Sequence, residues 1–129
     1  MPNALEITVT TYIRAWSERD PAVRAAMIEA CFAEGGRLVT RSREIRGRAA
    51  LSEAIEGFLA DPTVRAIRLA SAIDASGTTF RFRGVAELHD GTCLEAFDAG
   101  EIDADGRIAL LLTFAGPLAE AADGLRLKL

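Results

Sequence analysis

Cysteine, histidine and surplus basic charge are what this sequence is short of. Its 129 residues include two cysteines and one histidine. Cys31 and Cys93 lie far apart, with no C-x-x-C spacing and no metal-ligand pattern around them. Neither a disulfide framework nor a zinc site is expected, and a reducing cytoplasmic compartment is the default. The 15 Lys and Arg are outnumbered by 19 Asp and Glu, giving a net charge of −4. That balance argues against nucleic acid as the main partner. No apolar run is long enough to span a bilayer, which argues against a membrane partner. The opening MPNALEITVT has no basic region and no long apolar core, so no signal peptide is expected. Repeats, linkers and low-complexity stretches are missing as well.

Hydrophobic side chains, by contrast, make up 50% of the chain. That is enough for a real core in a single domain over residues 1–129, with a tail from about Ala119. The first half reads as helices. In Ala4–Glu18, Leu5, Val9, Tyr12, Ile13 and Trp16 form one stripe at helical spacing. Asp20-Pro21 supplies an N-cap and a first-turn proline for a second helix running to about Ala33. Its expected buried side chains are Val23, Met27, Ala30 and Cys31 or Phe32, and Gly35-Gly36 is expected to stop it. Short strands follow at Arg37–Arg41 and Glu44–Arg46. A third helix, Arg48–Ala60, buries Leu51, Ile55, Phe58 and Leu59, and Asp61-Pro62 ends it.

The second half reads as strands. Val64–Ala75 is followed by a turn at Asp74–Gly77. Thr78–Leu88 then alternates Phe80 and Phe82 with Arg81 and Arg83. His89-Asp90-Gly91 turns the chain into the last hairpin, which closes at Asp103–Arg107, where Gly106 supplies positive φ. Ile108–Phe114 is apolar on both faces, so it needs cover on both sides, by helices and by a second subunit. Before the turn, Leu94, Ala96, Asp98, Gly100 and Ile102 share one face. If that face points inward, Asp98 is desolvated and its pKa rises. The alternative is an Asp at a sheet margin, solvated or paired with an arginine. Helices first and an antiparallel meander afterwards define an α+β fold with helices on one face of a curved sheet.

The chain resembles the SnoaL-like branch of the nuclear transport factor two-like superfamily. The matching residues are Tyr12-Ile13-Arg14-Ala15-Trp16 with Arg19-Asp20-Pro21, and Glu44-Ile45-Arg46-Gly47-Arg48-Ala49-Ala50-Leu51. To these are added Phe80-Arg81-Phe82-Arg83, Asp105-Gly106-Arg107-Ile108 and Phe114-Ala115-Gly116-Pro117-Leu118. The resemblance covers nearly the whole chain. It implies a cone-shaped, cystatin-like α+β architecture, with a strongly curved antiparallel or mixed sheet wrapped around three N-terminal helices and one cavity. It also implies a homodimer through the outer sheet face. Function is not implied by the fold, which hosts isomerases, cyclases, dehydratases, epoxide hydrolases and noncatalytic domains.

Ketosteroid isomerases are similar at two points. Tyr12 falls where their oxyanion-hole tyrosine sits, and Asp98 where their protonated aspartic acid donates the second hydrogen bond. Their carboxylate base falls at Thr40, which cannot abstract a proton at neutral pH. The Asp-Arg-Asp set of epoxide hydrolases finds Asp98 with Arg81 or Arg83, but no second aspartate. Dehydratases of this fold use buried histidines, whereas His89 lies in an expected turn. Polyketide cyclases similar to SnoaL need one acid/base Asp and an apolar cavity, which Asp98 can meet. The resemblance thus implies catalytic roles for Asp98 and Tyr12. The candidate ligand contacts, read as pocket or core, are Trp16, Phe32, Thr40, Ile55, Phe58, Phe80 and Phe82.

Arg37, Arg41, Arg43, Arg46 and Arg48 form a basic cluster, either a solvated rim or a cavity mouth for a carboxylate-bearing ligand. The expectation is a small-molecule pocket protein without cofactor or metal. It is either an isomerase or cyclase acting on an apolar carbonyl compound or a noncatalytic ligand-binding or interaction domain.

Overall fold

A computed structural model describes residues 3–118 and 120 of the chain. Three helices come from the N-terminal half: α1 (Ala4–Ala15), α2 (Pro21–Cys31) and α3 (Arg48–Ala60). Seven strands complete the described residues: β1 (Phe32–Val39), β2 (Glu44–Arg46), β3 (Val64–Leu69), β4 (Asp74–Ser76), β5 (Thr79–Leu88), β6 (Cys93–Ile102) and β7 (Ile108–Ala115). The sheet runs β2-β1-β7-β6-β5-β3, with β4 paired to β5 beside β3. It is mixed: β1 and β7 are parallel, and the other pairs are antiparallel. The result is an α+β cone, a curved and unclosed sheet around its helices. The expected tail from Ala119 lies outside the described residues apart from Glu120.

Local chemistry explains most element ends. The Asn3 side chain caps α1 by accepting from the Glu6 N–H at 2.8 Å. Asp20 caps α2 by accepting from Ala22 and Val23, with Pro21 in the first turn, where its missing N–H costs nothing. At the last hairpin, Gly106 takes φ 78° and the Asp103 carboxylate accepts from the Asp105 and Arg107 N–H groups.

The second helix departs from the sequence reading. It ends at Cys31, and the two glycines meant to stop it lie inside β1. Phe32 pairs with Ile108 on β7, so the sheet claims the chain earlier than local signals indicate. Gly36 belongs there for room: a Cβ on it would sit 2.6 Å from the Phe32 ring. The buried face of α2 is also rotated. Arg24, Ile28 and Cys31 are buried, whereas Val23 and Ala30 are exposed. The long strand expected over Val64–Ala75 is two elements, and Asp74–Ser76 is a strand rather than a turn.

One row of side chains crosses the inner face. Phe80 pairs with Gly100, Gly100 with Leu111, Leu111 with Leu38 and Leu38 with Ile45. Phe80, Leu111, Leu38 and Ile45 are all buried and pack with Val9, Ile13, Ile28, Leu51 and Ile55 from the helices. The next row is Phe82, Asp98 and Thr113. A carboxyl group therefore stands beside the hydrophobic core.

Candidate functional site

Asp98 is held by strand alternation. Its register partner Phe82 is buried, while Arg83, Phe97 and Phe114 form the adjacent row on the opposite, exposed face. Asp98 is 8% exposed and its Oδ1 has no hydrogen-bond partner among the described residues. Burial raises its pKa from the ordinary 3.8 to about 6, with the Thr113 hydroxyl pulling the other way.

Helical periodicity puts Tyr12 and Trp16 one turn apart on the inner side of α1. Tyr12 is 3% exposed, stacks on Phe32 at 6.5 Å between centroids, and meets Trp16 edge-on at 6.4 Å. Its hydroxyl is pushed well above the ordinary tyrosine range. Burial is the main cause, the Asp98 charge adds to it, and hydrogen bonding with Trp16 eases it. Tyr12 therefore stays protonated and can act only as a neutral donor or acceptor.

Around these groups the expected ligand contacts divide. Trp16, Thr40 and Phe58 line a cavity of about 600 Å³ between α3 and the β1–β2 hairpin, whose wall mixes apolar Leu38 and Ala54 with charged Arg43, Glu44, Arg46 and Glu53. Trp16 and Phe58 meet there edge-on at 5.4 Å. Phe32 and Ile55 are fully buried core residues, and Phe80 stacks with Phe82 at 6.1 Å. Neither Asp98 nor Tyr12 lines this cavity, although Leu38 lies on the same inner face two strands from Asp98. Leu38 and Ala54 escaped the sequence reading because an apolar side chain lining a hollow has the same pattern as one filling a core. Thr40 turns into its own hairpin: its hydroxyl donates to the Arg43 carbonyl at 3.2 Å and accepts from the Arg43 N–H at 3.3 Å.

A second hollow, of about 620 Å³, is bordered by Phe82 and Asp98 and is also lined by Arg81, Arg83, Phe97, Ala99 and Phe114 among others. Alternation puts the Asp98 carboxyl on the other side of the sheet from those side chains. Arg81 pairs with Asp74 at 2.8 Å and Arg83 with Glu95 at 3.0 Å. Neither arginine can join Asp98 in an Asp-Arg-Asp set. His89 lies in the turn after β5. In the basic cluster, Arg37 and Arg46 both pair with Glu44, while Arg48 donates to the Phe32 carbonyl at 2.9 Å. Cys31 is buried, with its thiol pushed up to about 12, and Cys93 is exposed. Among the described residues no three His, Cys, Asp or Glu side chains cluster as a metal site would require.

The architecture is that of the SnoaL-like and nuclear transport factor two-like proteins. The chain is similar to a proposed isomerase of the SnoaL-like family from Agrobacterium tumefaciens, with TM-score 0.79 and 24% identity over 88% of this chain and 98% of that one. It is similar to an NTF2-like protein of unknown function from Exiguobacterium sp. 255-15, with TM-score 0.65 and 18% identity over 86% and 99% of the two chains. It is also similar to a LEH-like epoxide hydrolase from M. tuberculosis, with TM-score 0.65 and 15% identity over 87% and 82%. At these identities the likeness is one of fold. No family model and no curated protein matches the chain.

Proposed function

We propose that this chain is a small-molecule pocket protein of SnoaL-like type that isomerises or cyclises an apolar carbonyl compound by acid/base chemistry. Asp98 moves the proton and Tyr12 donates a hydrogen bond to the carbonyl oxygen. The observation that supports this best is the buried Asp98 carboxyl with an unpartnered Oδ1. A pKa of about 6 keeps both protonation states populated near neutral pH, as a group that takes and returns a proton requires. Tyr12, held neutral by its surroundings, suits the complementary role of stabilising a developing enolate. With threonine at position 40 committed to its hairpin, one carboxyl group has to serve as both acid and base.

The test is Asp98→Asn assayed against cyclic enones and β-dicarbonyl compounds. Loss of turnover by at least about 100-fold with unchanged fold and binding is expected. Unchanged turnover overturns the assignment. Binding without turnover in the native protein supports instead the noncatalytic reading, which the missing carboxylate at Thr40 favours.

The partner for the outer sheet face is proposed to be a second copy of the chain. Phe97 and Phe114 are 41% and 61% exposed there, beside half-buried Leu110 and Leu112. Among the described residues no helix is long and apolar enough to cross a membrane. A cytoplasmic setting is consistent with two cysteines that form no disulfide.

A further inference from the structure

Arg24 on α2 is a buried cation without a counter-charge. It is 2% exposed, and among the described residues no carboxylate forms an ion pair with it. A charge taken out of water is normally paired, because its lost hydration has to be replaced. One nitrogen has a partner: Nη1 donates to the Glu18 carbonyl at 2.8 Å, which fastens the loop before α2. The other edge of the guanidinium, formed by Nε and Nη2, has no protein partner among the described residues, and Nε is sealed from water. Two parallel N–H groups on such an edge match the two oxygens of a carboxylate.

Space for that partner lies beside it. Arg24 borders a hollow of about 190 Å³ between the start of α2 and the end of α3, together with Arg19, Pro21, Glu56, Leu59 and Ala60. Arg19 is exposed, and its Nη1 donates to the Leu59 carbonyl at 3.1 Å, which holds a second guanidinium at the rim. The nearby Asp20 carboxylate is spent on capping α2, where it accepts from Ala22 and Val23. Glu56 is exposed and forms an ion pair with neither arginine. Two guanidinium groups therefore face one carboxylate across the hollow, between apolar walls from Pro21, Leu59 and Ala60.

We infer that this hollow binds the carboxylate of a short-chain aliphatic acid, clasped by the free edge of Arg24 and attracted by Arg19. The size of the hollow limits the tail to a few carbons. Glu56 opposes a second negative charge, so a monocarboxylate is preferred to phosphate. The inference is independent of the proton chemistry assigned to Asp98 on β6.

Propionate is the probe, titrated against chloride at fixed ionic strength into protein labelled with nitrogen-15. The Arg24 Nε–H signal is the readout, because a proton sealed from water exchanges slowly enough to be followed. Arg24→Met removes the signal and so assigns it. A saturable shift with half-effect at or below about 20 mM is expected in the native protein. No shift, or one that saturates only above that concentration, overturns the site. Arg19→Gln should weaken the response at least about threefold and Glu56→Gln should strengthen it, both through charge at the rim. A response that neither substitution alters overturns the site as drawn, and an equal response to phosphate overturns the monocarboxylate preference. Should either variant fail to fold, the native titrations with propionate and phosphate still decide. Turnover plays no part in these measurements, so their failure leaves the acid/base reading standing, and an active Asp98→Asn leaves this site standing.

Discussion

Phe82 on β5 and Asp98 on β6 are register partners on the inner face of the sheet, so a carboxyl group lies beside an aromatic ring instead of facing solvent. That juxtaposition has a thermodynamic cost, and the cost depends on pH.

Folding raises the Asp98 pKa from 3.8 to about 6, so the folded state holds this proton more tightly than the unfolded chain does. The contribution of Asp98 is therefore most favourable below the unfolded value of 3.8 and is lost as pH rises through about 6. A gap of that size corresponds to about 2–3 kcal/mol. Asp98→Asn removes this dependence. Urea unfolding of both proteins should show the native chain losing about 2–3 kcal/mol relative to the variant between about pH 4 and about pH 7. A difference that stays constant across that range would contradict a desolvated carboxyl.

Gly36 and Phe32 make a second test. A Cβ on Gly36 would meet the Phe32 ring at 2.6 Å, and Phe32 is fully buried against Tyr12, with little freedom to retreat. Gly36→Ala should cost about 1–3 kcal/mol by overpacking. Gly35→Ala, on the same strand with nothing within 4 Å of the added atom, should stay within about 0.5 kcal/mol of native. Denaturant midpoints for the pair decide the matter, and equal costs would place the Phe32 ring elsewhere.

Among the described residues Arg24 is the other buried charged side chain, 2% exposed, with an Nε that has no partner. Its Nη1 donates to the Glu18 carbonyl at 2.8 Å, tying α2 to the loop that joins it to α1. Burying a guanidinium this way is expensive, so Arg24→Met should leave stability within about 1 kcal/mol of native or raise it. Arg24→Ala also deletes the packed stem and should be less stable than the methionine variant by about 2 kcal/mol. Thermal unfolding of both variants provides the comparison. A methionine variant as unstable as the alanine one would show that the charge itself holds the structure.

What could be read before the structure follows from where each signal is generated. The stripes of α1 and α3, the Asp20-Pro21 start and the Gly106 turn are set by residues a few positions apart, and they appear where expected. The end of α2 depends on β7, more than seventy residues downstream, because Phe32 pairs with Ile108. Gly35-Gly36 looks like a helix stop locally and serves as room for a ring in the sheet. Arg24 gave no warning at all, since a basic residue on a helix normally marks the solvated side. Strand alternation put Asp98 on a small, apolar face but left open whether that face pointed inward, which the pairing with Phe82 on β5 decides. That Tyr12 lies outside the cavity lined by Trp16, Thr40 and Phe58 was not legible, because residues on one helical stripe share a pattern whether they fill a core or reach a hollow.

The most direct test of Asp98 as an inward, proton-exchanging acid is its own titration, followed by carbon-detected NMR of the side-chain carboxyl with Asp98→Asn used for assignment. The expected midpoint is about 6. A midpoint at the ordinary 3.8 would mean the carboxyl is solvated, and the acid/base proposal would fall with it.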